Sequence, residues 1–86
     1  MSAIDDIVTA IDAVIEKIEE AVTTTAAATT ETTEALETAE ALGATGTVEG
    51  LTQVKEELET LATQLMGANS TAGEVKTTAE AVGANT

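Results

Sequence analysis

Apolar residues recur along this chain at alternating intervals of three and four residues, the spacing typical of a helix that packs against another helix. The first such repeat spans residues 4–42, and ten of its twelve positions are apolar. Its members are Ile4, Ile7, Ile11, Val14, Ile18, Ala21, Thr25, Ala28, Thr32, Ala35, Ala39 and Leu42. The repeat predicts a first helix over about residues 3–42.

A second repeat of the same kind spans residues 51–82, and all ten of its positions are apolar. Its members are Leu51, Val54, Leu58, Leu61, Leu65, Ala68, Ala72, Val75, Ala79 and Val82. A repeat sustained over more than four heptads is typical of coiled-coil packing. It predicts a second helix that begins near residue 48.

Residues 43–47, Gly-Ala-Thr-Gly-Thr, separate the two repeats. Gly43 stands where a left-handed glycine often ends a helix, and Thr47 is suited to capping the start of the next. Ser2 and Asp5 have the spacing of a cap at the start of the first helix. Because a connection of five residues leaves two long helices antiparallel, we predict an all-α fold, a coiled-coil-like antiparallel two-helix hairpin.

The second helix contains a segment that resembles a stop signal. Residues 67–70 read Gly-Ala-Asn-Ser, and Thr71 with Glu74 has the spacing of a capping box that would start a new helix. We therefore predict a helix over about residues 48–66, a break near residue 67, and a short third helix over about residues 71–82. Since the apolar repeat crosses this segment in phase, a continuous helix is the alternative.

The large aliphatic side chains are unevenly distributed along a single unit that we expect to comprise residues 1–86. They are concentrated in residues 4–22 and 51–65, so in a closed hairpin each bulky half faces a half rich in small residues. Further apolar residues lie beside the repeats and widen the apolar surface beyond what one partner helix covers. These are Val8, Ile15, Val22, Leu36 and Met66. We expect the hairpin to complete its core by self-association.

The charge of the chain excludes several classes of partner. Sixteen acidic residues against three basic ones, without histidine, give a net charge of −13. Such a chain repels phosphate backbones and anionic lipid surfaces, so we expect it to bind neither nucleic acid nor membrane surfaces. The chain contains no run of 18 apolar residues, so the sequence predicts no membrane-spanning helix. The N-terminus lacks the features of a Sec signal peptide, which favours a cytoplasmic location or export by a route independent of signal peptides.

The residue types needed for most catalytic and metal sites are missing. The chain contains no histidine and no cysteine, so Ser–His and Cys–His arrangements, thiolate metal sites and disulfides cannot form. Carboxylates are abundant, but their helix-surface spacing offers no apolar pocket to raise a pKa. We expect no enzymatic activity, no cofactor and no metal site.

Four glutamates at three-residue spacing form what we call the acidic ridge of the first helix: Glu31, Glu34, Glu37 and Glu40. The ridge has two interpretations, of which we favour a solvated, solubilising surface. The other is a surface for a basic partner or for weak contacts with divalent cations.

The methionine start, the short chain and the two helices joined by a glycine-containing turn resemble the small WxG-type helical-hairpin proteins associated with type VII secretion. Two features depart from that family: residues 43–46 occupy the turn without the Trp-x-Gly motif, and the chain has no tyrosine for the C-terminal export signal. The resemblance implies a dimerising, secreted or toxin-associated partner protein without catalytic activity. Helical-hairpin subunits of secretion needles and other filaments share the same size and outline.

Two hypotheses about function follow. In the first, the chain is a structural or interaction protein that associates with itself as a homo-oligomer or filament subunit. In the second, it is an adaptor whose apolar stripe binds a helix of another protein. In both, the residues that we predict to carry association are Ile4, Ile7, Ile11, Val14, Ile18, Leu51, Val54, Leu58, Leu61, Leu65, Val75 and Val82.

Overall fold

The chain folds as an antiparallel pair of long helices. A computed structural model describes residues 2–85, in which α1 (Ala3–Leu42) and α2 (Thr45–Ala84) each contain 40 residues. The Cα atoms extend over 65 × 16 × 11 Å, so the molecule is a rod only one layer of helices thick. The predicted all-α helical hairpin is confirmed.

Both ends of α1 have the caps that the sequence predicts. The Ser2 hydroxyl accepts a hydrogen bond from the Asp5 amide at 3.1 Å, and the Asp5 carboxylate accepts one from the Ser2 amide at 3.4 Å. This reciprocal pair satisfies two amides that the helix itself leaves free. At the other end, Gly43 adopts φ +68°, and the Ala44 amide donates to the Ala39 carbonyl at 3.0 Å. These are features of a Schellman motif, which reverses the chain within one residue.

The turn is shorter than predicted, and α2 begins earlier. Only Gly43 and Ala44 lie between the helices, and the Val48 amide already donates to the Ala44 carbonyl at 2.9 Å. The predicted turn over residues 43–47 and the predicted cap at Thr47 are therefore wrong. The Schellman motif completes the reversal at Ala44, so helical hydrogen bonding starts at once, without a side-chain cap.

Helix α2 runs through Gly67 without interruption, so the predicted break and short third helix are wrong. The Thr71 hydroxyl donates to the Gly67 carbonyl at 3.1 Å, within the helix, instead of capping a new one. A glycine inside a helix costs only about 1 kcal/mol relative to alanine. Half-buried positions continue at a regular interval on both sides of this segment, and that packing against α1 keeps α2 continuous.

Threonine side chains in the middle of α1 bond to the helix itself. In residues 23–33, seven threonine hydroxyls donate to the carbonyl four residues earlier, at 2.7–3.2 Å. This pattern satisfies each hydroxyl locally. The segment therefore presents few free polar groups to α2.

The two helices meet along rows that alternate steps of four and three residues. On α1 the inward row is Ile4, Val8, Ile11, Ile15, Ile18, Val22, Thr25, Thr29, Thr32, Leu36 and Ala39. On α2 it is Val48, Leu51, Lys55, Leu58, Ala62, Leu65, Asn69, Ala72, Lys76, Ala79 and Gly83. Every member is half-buried or buried.

Two interhelical contacts fix how these rows are aligned. A Cβ atom added at Gly83 would lie 2.9 Å from Ile4 Cγ2, and Lys76 Nζ lies 2.8 Å from Asp12 Oδ1. In this register the large aliphatic residues of one helix face mostly small or polar residues of the other, as predicted. The core is correspondingly thin: among the described residues only Thr25 and Ala39 are buried.

Candidate association surface

Six large aliphatic residues of the predicted association stripe point away from the interface between the helices. They are Ile7, Val14, Val54, Leu61, Val75 and Val82, and each is between 42% and 51% exposed. The prediction that they form the seam between the helices is therefore wrong. The other six predicted residues lie in the inward rows: Ile4, Ile11, Ile18, Leu51, Leu58 and Leu65.

The exposed residues follow from a choice between two neighbouring positions. Some residues, such as Ile11, belong both to the predicted repeat and to the observed inward row, and we call them shared inward positions. After each of them, the helix offers one residue three positions later and another four positions later. Both are apolar in this part of α1, namely Val14 and Ile15, and it is Ile15 that turns inward. Val8, Ile15, Val22 and Leu36, first assigned to the margin of the stripe, thus pack between the helices, and half of the residues first assigned to its centre face outward.

Both exposed rows lie on the same side of the hairpin. The two helices of an antiparallel pair are related by an approximate twofold axis perpendicular to the plane that contains them. Residues that follow a shared inward position by the same number of residues on each helix therefore point to the same side of that plane. Each exposed row lies three residues after a shared inward position on its own helix. A shallow groove of about 360 Å³ lies at this side of the hairpin, lined by Ala13, Val14, Lys17, Ile18 and Ala21 of α1 and by Leu65 of α2.

We call this side the apolar face. It contains Ile7, Val14, Ala21, Ala28, Ala35 and Leu42 of α1, and Thr47, Val54, Leu61, Ala68, Val75 and Val82 of α2. None of these twelve residues is charged, in a chain where 22% of the residues are. Eleven of the twelve residues are apolar, and large exposed apolar patches on proteins are often sites of interaction with other proteins, membranes or ligands.

The opposite side, which we call the acidic face, carries six carboxylates one residue after shared inward positions: Asp5, Asp12, Glu19, Glu40, Glu59 and Glu80. Lys76 crosses from α2 on this side to the Asp12 carboxylate. The Lys76 ammonium group donates a hydrogen bond to the Asp12 carboxylate, and this bond, together with the attraction of the Asp12 charge, raises the pKa of Lys76. The two sides of the hairpin therefore differ in charge: the acidic face carries six carboxylates and the apolar face none.

The predicted acidic ridge lies apart from the hairpin interface. Glu31, Glu34, Glu37 and Glu40 are all exposed, and their three-residue spacing carries them around the outer side of α1. Within residues 2–85, no three acidic side chains are grouped closely enough to hold a metal ion.

Sequence reasoning missed three polar residues of α2 that lie between the helices, Lys55, Asn69 and Lys76, and one of α1, Thr29. Reading the repeat with steps of four and three, rather than three and four, would have included them. Asn69 Oδ1 is buried, and no group of the described chain donates a hydrogen bond to it. Lysine tolerates such a position because its aliphatic stem packs while its ammonium group reaches water or a carboxylate.

Neither helix has an apolar stretch that is long enough to cross a bilayer, for the part of the chain that the structure covers. Comparison of the chain with protein-family models, with curated proteins and with solved structures gives no match.

Proposed function

We propose that this protein is a non-enzymatic structural or interaction protein that acts through helix–helix association, and that it forms a homo-oligomer through its apolar face. The observation that carries the proposal is the uncharged apolar face along one side of a hairpin in which only two of the described residues, Thr25 and Ala39, are buried. The remaining surface offers open, shallow grooves lined by carboxylates and hydroxyls, such as the one at Glu16, Glu19 and Thr23. Such grooves lack the enclosed site that catalysis needs.

The apolar face supplies a driving force of the right kind. Fully burying a Val, Leu or Ile side chain contributes about 1.5–3 kcal/mol relative to leaving it in water. The six half-exposed residues of the stripe, together with Leu42 at 78% exposure, retain a large part of that contribution for a partner. Because both helices contribute to the same side, one partner can cover all of them at once.

The alternative is an adaptor of the WxG-like type, whose apolar face binds helices of a different protein. The two-helix outline supports that resemblance, whereas the turn at Gly43 and Ala44, which carries no aromatic residue, does not. We favour self-association because it needs no component beyond the chain itself. A purified protein that stays monomeric and gains helix only with another protein would favour the adaptor.

A matched pair of substitutions tests the proposal. Leu61→Ser removes a large side chain from the apolar face, and Met66→Ser removes one of similar exposure from the acidic face. We expect Leu61→Ser to weaken self-association about tenfold, because the 42% of this side chain that is exposed is worth roughly 1 kcal/mol on burial and each copy in the interface loses it. Met66→Ser should leave the association constant unchanged. Sedimentation equilibrium measures both, with circular dichroism on the same samples to verify that both variants remain helical.

Equal weakening by both substitutions would reject the apolar face as the association surface. Weakening by Met66→Ser alone would move that surface to the acidic side.

A further inference from the structure

We infer that the apolar face binds a second copy of this chain, turned end for end about a twofold axis that lies in the interface. The two copies form a closed dimer of four helices, with their turns at opposite ends. The inference rests on the proposed function, and it specifies the partner and its orientation.

The surface area of the hairpin points to a partner as large as the hairpin itself. The chain exposes 5808 Å², whereas a compact protein of 8.7 kDa exposes about 4,700 Å². The excess of about 1,100 Å² is similar to the roughly 800 Å² that each partner contributes to a stable interface. A second hairpin covers the apolar face along the full 65 Å of the rod, which a single short helix would leave partly exposed.

The sizes of the side chains on the apolar face favour the end-for-end orientation. In that orientation each helix lies on its own counterpart, so Val14 meets the partner's Ala28 and Leu61 meets the partner's Ala68. Ile7 likewise meets the partner's Ala35. Large residues face alanines at these pairs, whereas Val54 meets the partner's Val75, so the distance between the copies stays nearly even, as close packing requires.

The other closed orientation places both turns at the same end, and it packs less evenly. There α1 lies on α2 of the second copy, so Val14 meets the partner's Val75 while Ala21 meets the partner's Ala68. Two pairs of large residues coincide near the chain termini, Ile7 with the partner's Val82 and Val14 with the partner's Val75, and one pair of alanines coincides near the middle. Pairs of two large residues and pairs of two alanines are both more frequent in this orientation than end for end, so the distance between the copies is less even.

The few charges at the margin of the apolar face favour the same orientation. Lys17 and Glu31 border this face on α1, and Glu57 borders it on α2. End for end, Lys17 lies about 9 Å along the rod from the partner's Glu31, and opposite charges at that distance attract. With both turns at the same end, Glu31 lies at the height of the partner's Glu57, and like charges at that distance repel.

A distance between the two turns distinguishes the orientations. The chain contains no cysteine, so Thr45→Cys gives one unique site for a spin label beside the turn. Double electron–electron resonance in molar salt measures the distance between the two labels. We expect a distance close to the 65 Å length of the hairpin. A label at Thr24→Cys, near the midpoint of the rod, should give a distance of about two helix diameters, roughly 20 Å, in either orientation and so serves as the control.

Light-scattering mass on the same labelled samples separates the possible failures. A dimer with a short distance at Thr45→Cys would overturn the end-for-end orientation and leave the proposed self-association standing. A polymer would overturn the closed dimer. A monomer in molar salt would overturn both this inference and the proposed function.

Discussion

Gly43 and Gly67 occupy different backbone environments, although both stand at positions where the sequence suggests the end of a helix. Gly43 has φ +68°, a conformation that L side chains rarely adopt, and it reverses the chain. Gly67 lies inside α2 with helical geometry, and a Cβ atom added there would meet nothing within 4 Å. Only the first glycine is required by the fold.

Alanine substitutions at these two glycines should therefore have opposite effects. Gly43→Ala should lower the free energy of unfolding by about 1–2 kcal/mol, the cost of a left-handed residue with a side chain. Gly67→Ala should raise it by about 0.5–1 kcal/mol, because alanine loses less backbone entropy in a helix. Urea unfolding followed by circular dichroism, at one fixed protein concentration, measures both. A destabilised Gly67→Ala would show that α2 needs flexibility or a break at this point.

Asn69 is a polar residue in the interface between the helices whose buried Oδ1 accepts no hydrogen bond from the described chain. A buried polar atom without a partner costs about 1–3 kcal/mol. We expect Asn69→Ala to raise the free energy of unfolding by about 1 kcal/mol or more. Ser70→Ala, at the exposed neighbouring position, is the matched control. It should raise the free energy of unfolding by only about a few tenths of a kcal/mol, the difference in helix propensity between serine and alanine. A loss of stability in Asn69→Ala would mean that the amide has a partner in the assembled protein.

For α1, the sequence predicts position and length better than rotation, whereas for α2 it misplaces the start by about three residues and adds a break that the packed helix lacks. Capping by Ser2 and chain reversal at Gly43 depend on local hydrogen bonds, and both predictions hold. The rotation of each helix about its own axis depends on which of two adjacent apolar residues packs inward, for example Val14 or Ile15. Spacing alone cannot decide between them, because both belong to a heptad pattern, and the outcome depends on the side chains of the opposite helix.

The contact between Asp12 and Lys76 ties α1 to α2 on the acidic face, and it gives the hairpin a pH dependence. The pKa of Lys76 is raised in the folded chain. Its contribution to stability is therefore complete below the ordinary lysine pKa of about 10.4 and is lost as the pH rises through the higher folded value. Wild-type protein should lose more thermal stability than Asp12→Asn between pH 8 and pH 11. Equal losses would show that the ion pair does not join the helices in solution.

At the level of the whole molecule, the hairpin combines a thin core, an uncovered apolar face and a net charge of −13. The sequence predicts that the hairpin alone buries little apolar surface. In a closed antiparallel pair, the segments rich in large aliphatic side chains face segments rich in small side chains. It does not predict that the exposed apolar residues of both helices lie on the same side. That arrangement follows from the rotation of α1 and α2 about their axes, which is set by tertiary packing.

Charge opposes the association that the apolar face favours. Two copies bring together twice the charge of −13, and repulsion between them weakens as salt shortens the screening length to about 3 Å at 1 M. Apolar burial, in contrast, does not weaken in salt. Self-association through the apolar face should therefore be promoted by salt, unlike association through ion pairs.

The most direct measurement is light-scattering mass after size exclusion, at low and at molar salt, with circular dichroism on the same fractions. We expect strongly helical protein at both salt concentrations, and a shift in molar salt towards twice the chain mass of 8.7 kDa. A weakly helical monomer in both buffers would show that the hairpin does not complete its core with a second copy, and that its apolar face serves a different protein.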